Sequence, residues 1–436
     1  MTRWPVIRWP VIRWPVIRWP VIRWPVIRWL VVCLVVAGCG VPAVDPAYEG
    51  RGPITFVDSY DLSSTGPIRR RVEAWNARSS SVEAVTYVPM PTPTDDYRAQ
   101  LMARAGDLAG RRGADAGSQC YDVVTLDVVW TAAFARANYL ARLPEAEMGP
   151  DRFLPASAES ARDNGRLWAV PWRADAGVLF YRSDLLAAEG VSRPTSWDEL
   201  ERQAATIAPK YGIAGYVGQL GQYEGLTVNA LEAVWGHGGD ADHWDGPGAR
   251  AGVGRLASGV EQGWIPREAL RYDEAASLKE FLEGRALFLR TWPYARAELE
   301  ASPLKDRFGM AALPGPAALG GWNVAVSRCS AHQATARDFI QFLTGEESQA
   351  ALLTQAGYPP TLASLYEDRE LRARLPHLVV LEAAVLNARN RPRTAHYDEL
   401  TRVVQRAVHN ALGNPQALDA ELRQLAEDVV RASSGR

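Results

Sequence analysis

The sequence predicts an α/β protein of at least two domains, with a mostly parallel sheet flanked by helices in the first. Three observations carry this. Strand and helix patterns alternate from residue 53 to residue 143, the order that builds a parallel sheet with helices on its faces. Within that span, YDVVTLDVVWTAAFARANYLARL (residues 121–143) opens as a nearly continuous β-branched apolar run and passes into helical spacing. That is how a strand buried on both faces reads when it feeds a helix. Finally, about 400 residues remain once an amino-terminal leader is set aside, more than one typical core organises.

The leader comes first. Arg-Trp-Pro-Val-Ile is repeated five times over residues 3–27, and an apolar run at residues 29–38 stops at Cys39. The run is shorter than the about 20 residues a permanent membrane helix needs. With six arginines before it and small residues at its end, residues 1–38 read as a signal peptide. Val36-Ala37-Gly38-Cys39 resembles a lipobox, in which the cysteine becomes the lipidated first residue and holds the protein on the outer face of the cell membrane. Proline at every fifth position rules out a continuous helix, so the repeat reads as an expanded amino-terminal region or a misplaced start. A membrane-active role for it is the alternative. Residues 39–50 then form a small-residue tether.

The first 38 residues carry six of the 48 basic residues and none of the 50 acidic ones, so the remainder has a net charge of −8. Such a balance argues against a nucleic-acid partner, which would need a basic face. Only Lys210, Lys279 and Lys305 are lysines. Two of the four cysteines, Cys33 and Cys39, belong to the leader. In an exported chain, where disulfides persist, Cys120 and Cys329 are expected to pair, with two separate buried thiols as the alternative.

The elements follow in order. Residues 53–60 read as a strand, residues 61–66 as a polar loop beginning at Asp61, and residues 68–78 as a helix. A second strand at 82–88 leads through a proline-rich segment ending at Asp96 into a helix at 97–109. Next comes the strand of residues 122–130. It leaves Asp127 and Trp130 at or just beyond its carboxyl end, the edge where open α/β sheets bind ligands. A carboxylate beside a tryptophan suits a sugar, giving acceptors for hydroxyls and an apolar face for the ring; a capping Asp and a core Trp is the plainer reading. Residues 165–186 hold two strands separated by a polar break at residues 173–175, and Thr195 or Ser196 caps a helix with Glu199 following.

Read together, several motifs resemble one family. Gly165-Arg-Leu-Trp-Ala-Val-Pro171 with Val178-Leu-Phe-Tyr-Arg-Ser-Asp-Leu-Leu186, Pro194-Thr-Ser-Trp-Asp-Glu-Leu200, Thr291-Trp-Pro-Tyr294 and Leu319-Gly-Gly-Trp-Asn-Val-Ala-Val-Ser327 stand in the order and spacing found in extracellular solute-binding proteins of ABC sugar importers. Leu126-Asp-Val-Val-Trp-Thr131, Glu224-Gly225 and Arg391-Pro392 look most like the trehalose-binding lipoproteins among them. The resemblance implies a two-lobed periplasmic-binding-protein-like fold with a multi-strand hinge: residues 51–168 with 320–362 as lobe one, and 169–317 with 365–436 as lobe two. It further implies a monomer that captures a neutral sugar, such as the disaccharide trehalose, and delivers it to a membrane permease without cofactor. On this likeness Asp61, Asp96, Asp127, Trp130, Trp172 and Asp175 face the ligand from the first half of the chain. Tyr223, Glu224, Trp292, Gly321, Trp322 and Arg391 do so from the second. Asp175, Trp322 and Tyr97 depart from the residues common in those relatives at their positions.

Other chemistries fit less well. The histidines, His237, His243, His332, His377, His396 and His409, lack metal-ligand spacing, and no glycine-rich phosphate loop follows a strand. Asp127 and Glu224 could be the carboxylate pair of a secreted glycoside hydrolase, and a sugar sensor for a membrane kinase is a third reading. Trp172, Trp292 and Trp322 could be core residues, and Arg391 a surface ion pair.

Overall fold

The computed structural model describes residues 50–59, 66–79, 81–90, 94–111 and 115–435. The repeats, the signal peptide, Cys39 and Asp61 lie outside the described residues. In chain order the strands are β1 (Ile54–Ser59), β2 (Val85–Met90), β3 (Val123–Asp127), β4 (Arg162–Asp163), β5 (Arg166–Leu167), β6 (Val170–Ala176), β7 (Val178–Arg182), β8 (Ala214–Val217), β9 (Ala286–Thr291), β10 (Phe308–Ala312) and β11 (Leu319–Val326). Two sheets organise them: five strands in the order β2-β1-β3-β11-β6 and four in the order β10-β7-β9-β8, with β4 and β5 a separate short hairpin.

The lobed α/β architecture is the expected one, while pairing within the sheets is mixed. β1 runs parallel to β2 and β3, as the strand–helix alternation of this region requires. β11 enters the first sheet from the second and runs against both β3 and β6. In the second sheet β8 and β9 are parallel, and β7 is antiparallel to β9 and β10.

The chain changes sheets at Gly177, between β6 and β7, and returns between β10 and β11. β6 therefore belongs to the five-stranded sheet, although the lobe boundary drawn from sequence lies at residue 169. The polar break expected at residues 173–175 is not there either, since β6 runs through it. Arg173 can sit in a buried strand because its Nη2 donates to Asp58 Oδ1 of β1 at 2.9 Å, which supplies the partner a buried charge needs. Gly177 has its own reason. A Cβ there would lie 2.5 Å from both Arg290 Nη2 and Glu232 Oε1, a fully buried bidentate pair at 2.7 and 2.6 Å. Glu232 Oε1 also accepts from Ala318 N at 3.0 Å. Both crossings thus lean on one buried ion pair.

The first lobe's core gathers Phe56 against Trp172 and Phe339, edge to face at centroid distances of 5.6 and 5.3 Å. Local signals held well. Ser196 Oγ accepts from Glu199 N at 3.1 Å and Glu199 Oε2 accepts from Thr195 N at 2.7 Å, a reciprocal cap for the helix Trp197–Ile207. Cys120 and Cys329 are bonded, with Cα atoms 5.8 Å apart across 209 residues of sequence, and tie the entry of β3 to the loop after β11. The exposed side chains Lys210, Lys279 and Lys305 all belong to the body around the four-stranded sheet. Among the described residues no helix is long and apolar enough to cross a membrane.

Candidate ligand-binding site

β3 ends at Asp127, whose Oδ1 accepts from Val129 N at 3.1 Å and so turns the chain into the helix Thr131–Arg136. Opposite it, Glu224 opens the helix Glu224–Gly236, where the amino-terminal dipole favours a carboxylate. Arg391 joins the two. Its Nη2 donates to Asp127 Oδ1 and its Nη1 to Glu224 Oε1, both at 2.5 Å. Glu224 is held further by Tyr397 Oη on Oε1 and Thr401 Oγ1 on Oε2, each at 2.6 Å. All three charged residues are buried, Arg391 with 3% of its surface exposed.

One guanidinium therefore serves two carboxylates. Burial works against the charge of Arg391, but Asp127, Tyr397 and Glu224 outweigh it and its pKa is raised. At Asp127 the balance tips the other way: burial, with Glu224 adding to it, outweighs Arg391 and lifts the carboxyl above its ordinary range.

Aromatic rings flank this triad. Trp322 stands opposite Asp127 in the β3–β11 register, and its ring meets Trp130 and Tyr97 at centroid distances of 5.7 and 5.6 Å. Trp130 is buried and Trp322 half-buried. The Gly320–Gly321 pair that precedes Trp322 is demanded twice over. Gly321 has φ +102°, and a Cβ on it would lie 2.1 Å from Arg173 O; a Cβ on Gly320 would lie 2.9 Å from the Trp292 ring. Trp292 is thus laid on bare backbone, with Arg290 4.2 Å over its ring and its Nε1 donating to Glu274 Oε1 at 3.3 Å. Tyr223 Oη donates to the other oxygen of Glu274 at 2.7 Å. Asp175 of β6 lies opposite Gly320. Loss of solvent pushes its carboxyl up to about 7, against the pull of Arg173 and Arg290.

The structure thus brings Asp127, Trp130, Glu224, Arg391, Gly321, Trp322, Asp175, Trp292 and Tyr223 around one interface between the sheets. Trp172 lies apart in the core, fully buried against Phe56. Asp96 and its neighbour Asp95 are both exposed in the first turn of the helix Thr94–Asp107; at Asp95 partial desolvation, then the Glu224 charge, raises the carboxyl above its ordinary range. Sequence reasoning missed Tyr397, Thr401 and Glu274. The spacing of Tyr397 and Thr401 puts both on one helix face, but only the fold shows that this face meets Glu224.

Asp127 and Glu224 are committed to the same cation and are not poised as an acid and a base about an open bond. Among the described residues no cluster of His, Cys, Asp and Glu could hold a metal ion. Two α/β bodies joined by crossings at Gly177 and Ala318, with polar and aromatic groups converging between them, have the architecture of a two-lobed binding protein.

The chain belongs to the bacterial extracellular solute-binding protein family, whose description matches residues 76–350. It is 32% identical over 396 residues to a probable ABC transporter-binding protein of Deinococcus radiodurans, covering 83% of this chain and 89% of that one. Among solved structures it is similar to maltose-bound MalE3 of T. maritima, with 32% identity, a TM-score of 0.78, and coverage of 87% of this chain and 99% of that one. The GacH receptor of Streptomyces glaucescens, at 23% identity and a TM-score of 0.76 over 88% of this chain and 99% of its own, shares the fold. The family consists of solute-binding proteins of ABC transporters, not enzymes.

Proposed function

We propose that this protein captures a neutral disaccharide, of which trehalose is the leading candidate, between its two lobes and delivers it to an ABC permease. It acts as a monomer held on the outer face of the membrane by lipidated Cys39. Lobe one is the body around the five-stranded sheet and lobe two the body around the four-stranded sheet. The carrying observation is the pairing of carboxylates with half-buried indoles at one interface: Asp127 and Asp175 beside Trp322 and Trp292. A neutral sugar presents hydroxyls and apolar ring faces without charge, and such a lining matches both. The maltose bound to MalE3, a protein 32% identical to this one, supports a disaccharide.

Calorimetric titration of the purified protein with a panel of mono- and disaccharides tests the reading. A disaccharide should bind more tightly than its constituent monosaccharide, and Trp292→Ala should weaken that binding. Heat changes no larger than dilution across the whole panel would sink it. Cys39→Ala should move the protein from the membrane to the soluble fraction, since attachment depends on that thiol. A variant that still sediments with membranes removes the lipoprotein part of the proposal.

A further inference from the structure

A second recess lies at the opposite end of β3 from Asp127. It opens between the end of the helix Thr94–Asp107, Tyr121 just before β3, and the loop that follows β11. Leu101, Leu108, Phe134 and Leu140 give it an apolar floor, and Leu108 packs on Cys120 and Cys329 of the disulfide. Arg104, Arg111 and Arg328 also line it, and no acid does. This is a local exception in a chain whose charge beyond the leader is −8.

Arg104 is fixed in place: its Nη2 donates to Tyr121 Oη at 2.8 Å, and its guanidinium lies 4.5 Å from the centroid of that ring. Among the described residues neither Arg104 nor Arg111 forms an ion pair, whereas Arg136, Arg162 and Arg173 of the same body each hold an acid. Arg328 Nη1 donates to Asn138 Oδ1, and its backbone N donates to Tyr139 O at 2.8 Å. Guanidinium groups with N–H donors to spare suit a phosphate. The recess also borders the place where the tether joins the fold. A Cβ on Gly50, the first described residue, would lie 2.1 Å from Ala331 O. Ala331 is three residues from Arg328, no more than about 11 Å along the chain. Eleven residues lead from Cys39 to Gly50, a reach of at most about 40 Å.

We propose that this recess seats the headgroup of an anionic phospholipid in the membrane to which the tether fastens the protein. The phosphate takes the arginine N–H donors, and the hydrocarbon beside it covers the apolar floor, which an inorganic anion would leave bare. Tyr121 stands before β3 and Asp127 ends it, so the lipid seat and the ligand site can be filled together. Each arginine near an anionic surface is worth about fivefold in partitioning, and salt screens that attraction. The seat therefore orients a tethered protein and is too weak to hold an untethered one on a membrane through washing. Only the reach from Cys39 depends on the lipid anchor proposed above, and a protein lacking Cys39 tests the recess apart from it.

Residues 40–436 hold every described element and carry neither Cys39 nor the arginine-rich leader, whose own attraction to vesicles would mask the effect. In flotation at low salt this protein should rise with vesicles of phosphatidylcholine mixed with phosphatidylglycerol and stay behind with phosphatidylcholine alone. Arg104→Gln and Arg111→Gln should each lower the floated fraction's partition coefficient about fivefold, and the pair together about 25-fold. Arg193→Gln, an exposed arginine of the four-stranded body, should leave it near the parental value. Equal flotation on both kinds of vesicle, none on either, or a loss at Arg193 as large as at Arg111 would overturn the lipid seat. If Arg104→Gln lowers the melting temperature sharply, Arg111→Gln decides alone, because Arg111 is exposed and outside every described element; a variant that floats as well as the parent then overturns the seat. Failure of Cys39→Ala to leave the membrane fraction would remove the anchor and not alter this outcome.

Discussion

Arg391 holds two carboxylates with one positive charge, and this stoichiometry makes the two unequal on truncation. Glu224 is saturated by Arg391, Tyr397 and Thr401, so it acts mainly by fixing the guanidinium. Glu224→Ala leaves three buried groups without their common partner. It should cost stability on the scale of a broken buried ion pair, about 3–5 kcal/mol, and binding with it. Asp127→Ala leaves Arg391 paired with Glu224. It should cost less stability and weaken sugar binding roughly 10- to 100-fold, as loss of a charged acceptor does. Thermal melts alongside titrations check the split, and equal melting temperatures for the two variants would contradict it. Asp175 gives a pH prediction. Its folded carboxyl lies near 7 against an ordinary 3.8, so between those values the folded protein holds a proton that the unfolded chain has released. Stability therefore falls as pH rises through that window and levels off above it. Asp175→Asn removes the penalty, so its melting temperature relative to the parent should climb from about pH 4 to about pH 7. A difference that stays constant with pH would refute the assignment.

At the scale of elements, legibility followed how local the signal was. The cap at Ser196 is written in consecutive residues and stands as expected; the strand expected over residues 122–130 is present but ends at Asp127, where Val129 N turns back onto the Asp127 carboxylate. The Arg173 segment was misread as a break because the sequence shows an arginine but not Asp58, 115 positions away, which lets that arginine stay in a strand. Tyr397 and Thr401 escaped for the same reason: their partner Glu224 lies 173 and 177 residues earlier. The disulfide joins equally remote elements, and its position predicts its effect. It closes a long loop, so Cys120→Ser with Cys329→Ser should lower stability by about 2–4 kcal/mol. The bond sits at the start of β3 and Asp127 at its end, so the folded variant should bind sugar about as tightly as the parent. A large loss of affinity at a temperature where the variant is folded would show that the two ends of β3 are coupled.

For the whole molecule, the two-lobed architecture was legible because several weak motifs fall in one order along the chain. The mixed sheets were not, since strand direction is decided where β11 returns from the other lobe, and no residue near β11 marks that choice. One compositional feature acquires meaning only when placed on the fold. The three lysine side chains are all on the four-stranded body and all exposed, and the five-stranded body carries none. Reagents that attack side-chain amines therefore address one lobe alone. A protein grafted to a sensor surface through those amines would stand on its four-stranded half with the other half unattached, and a fluorophore added by the same chemistry would report from one side of the hinge without any engineered cysteine.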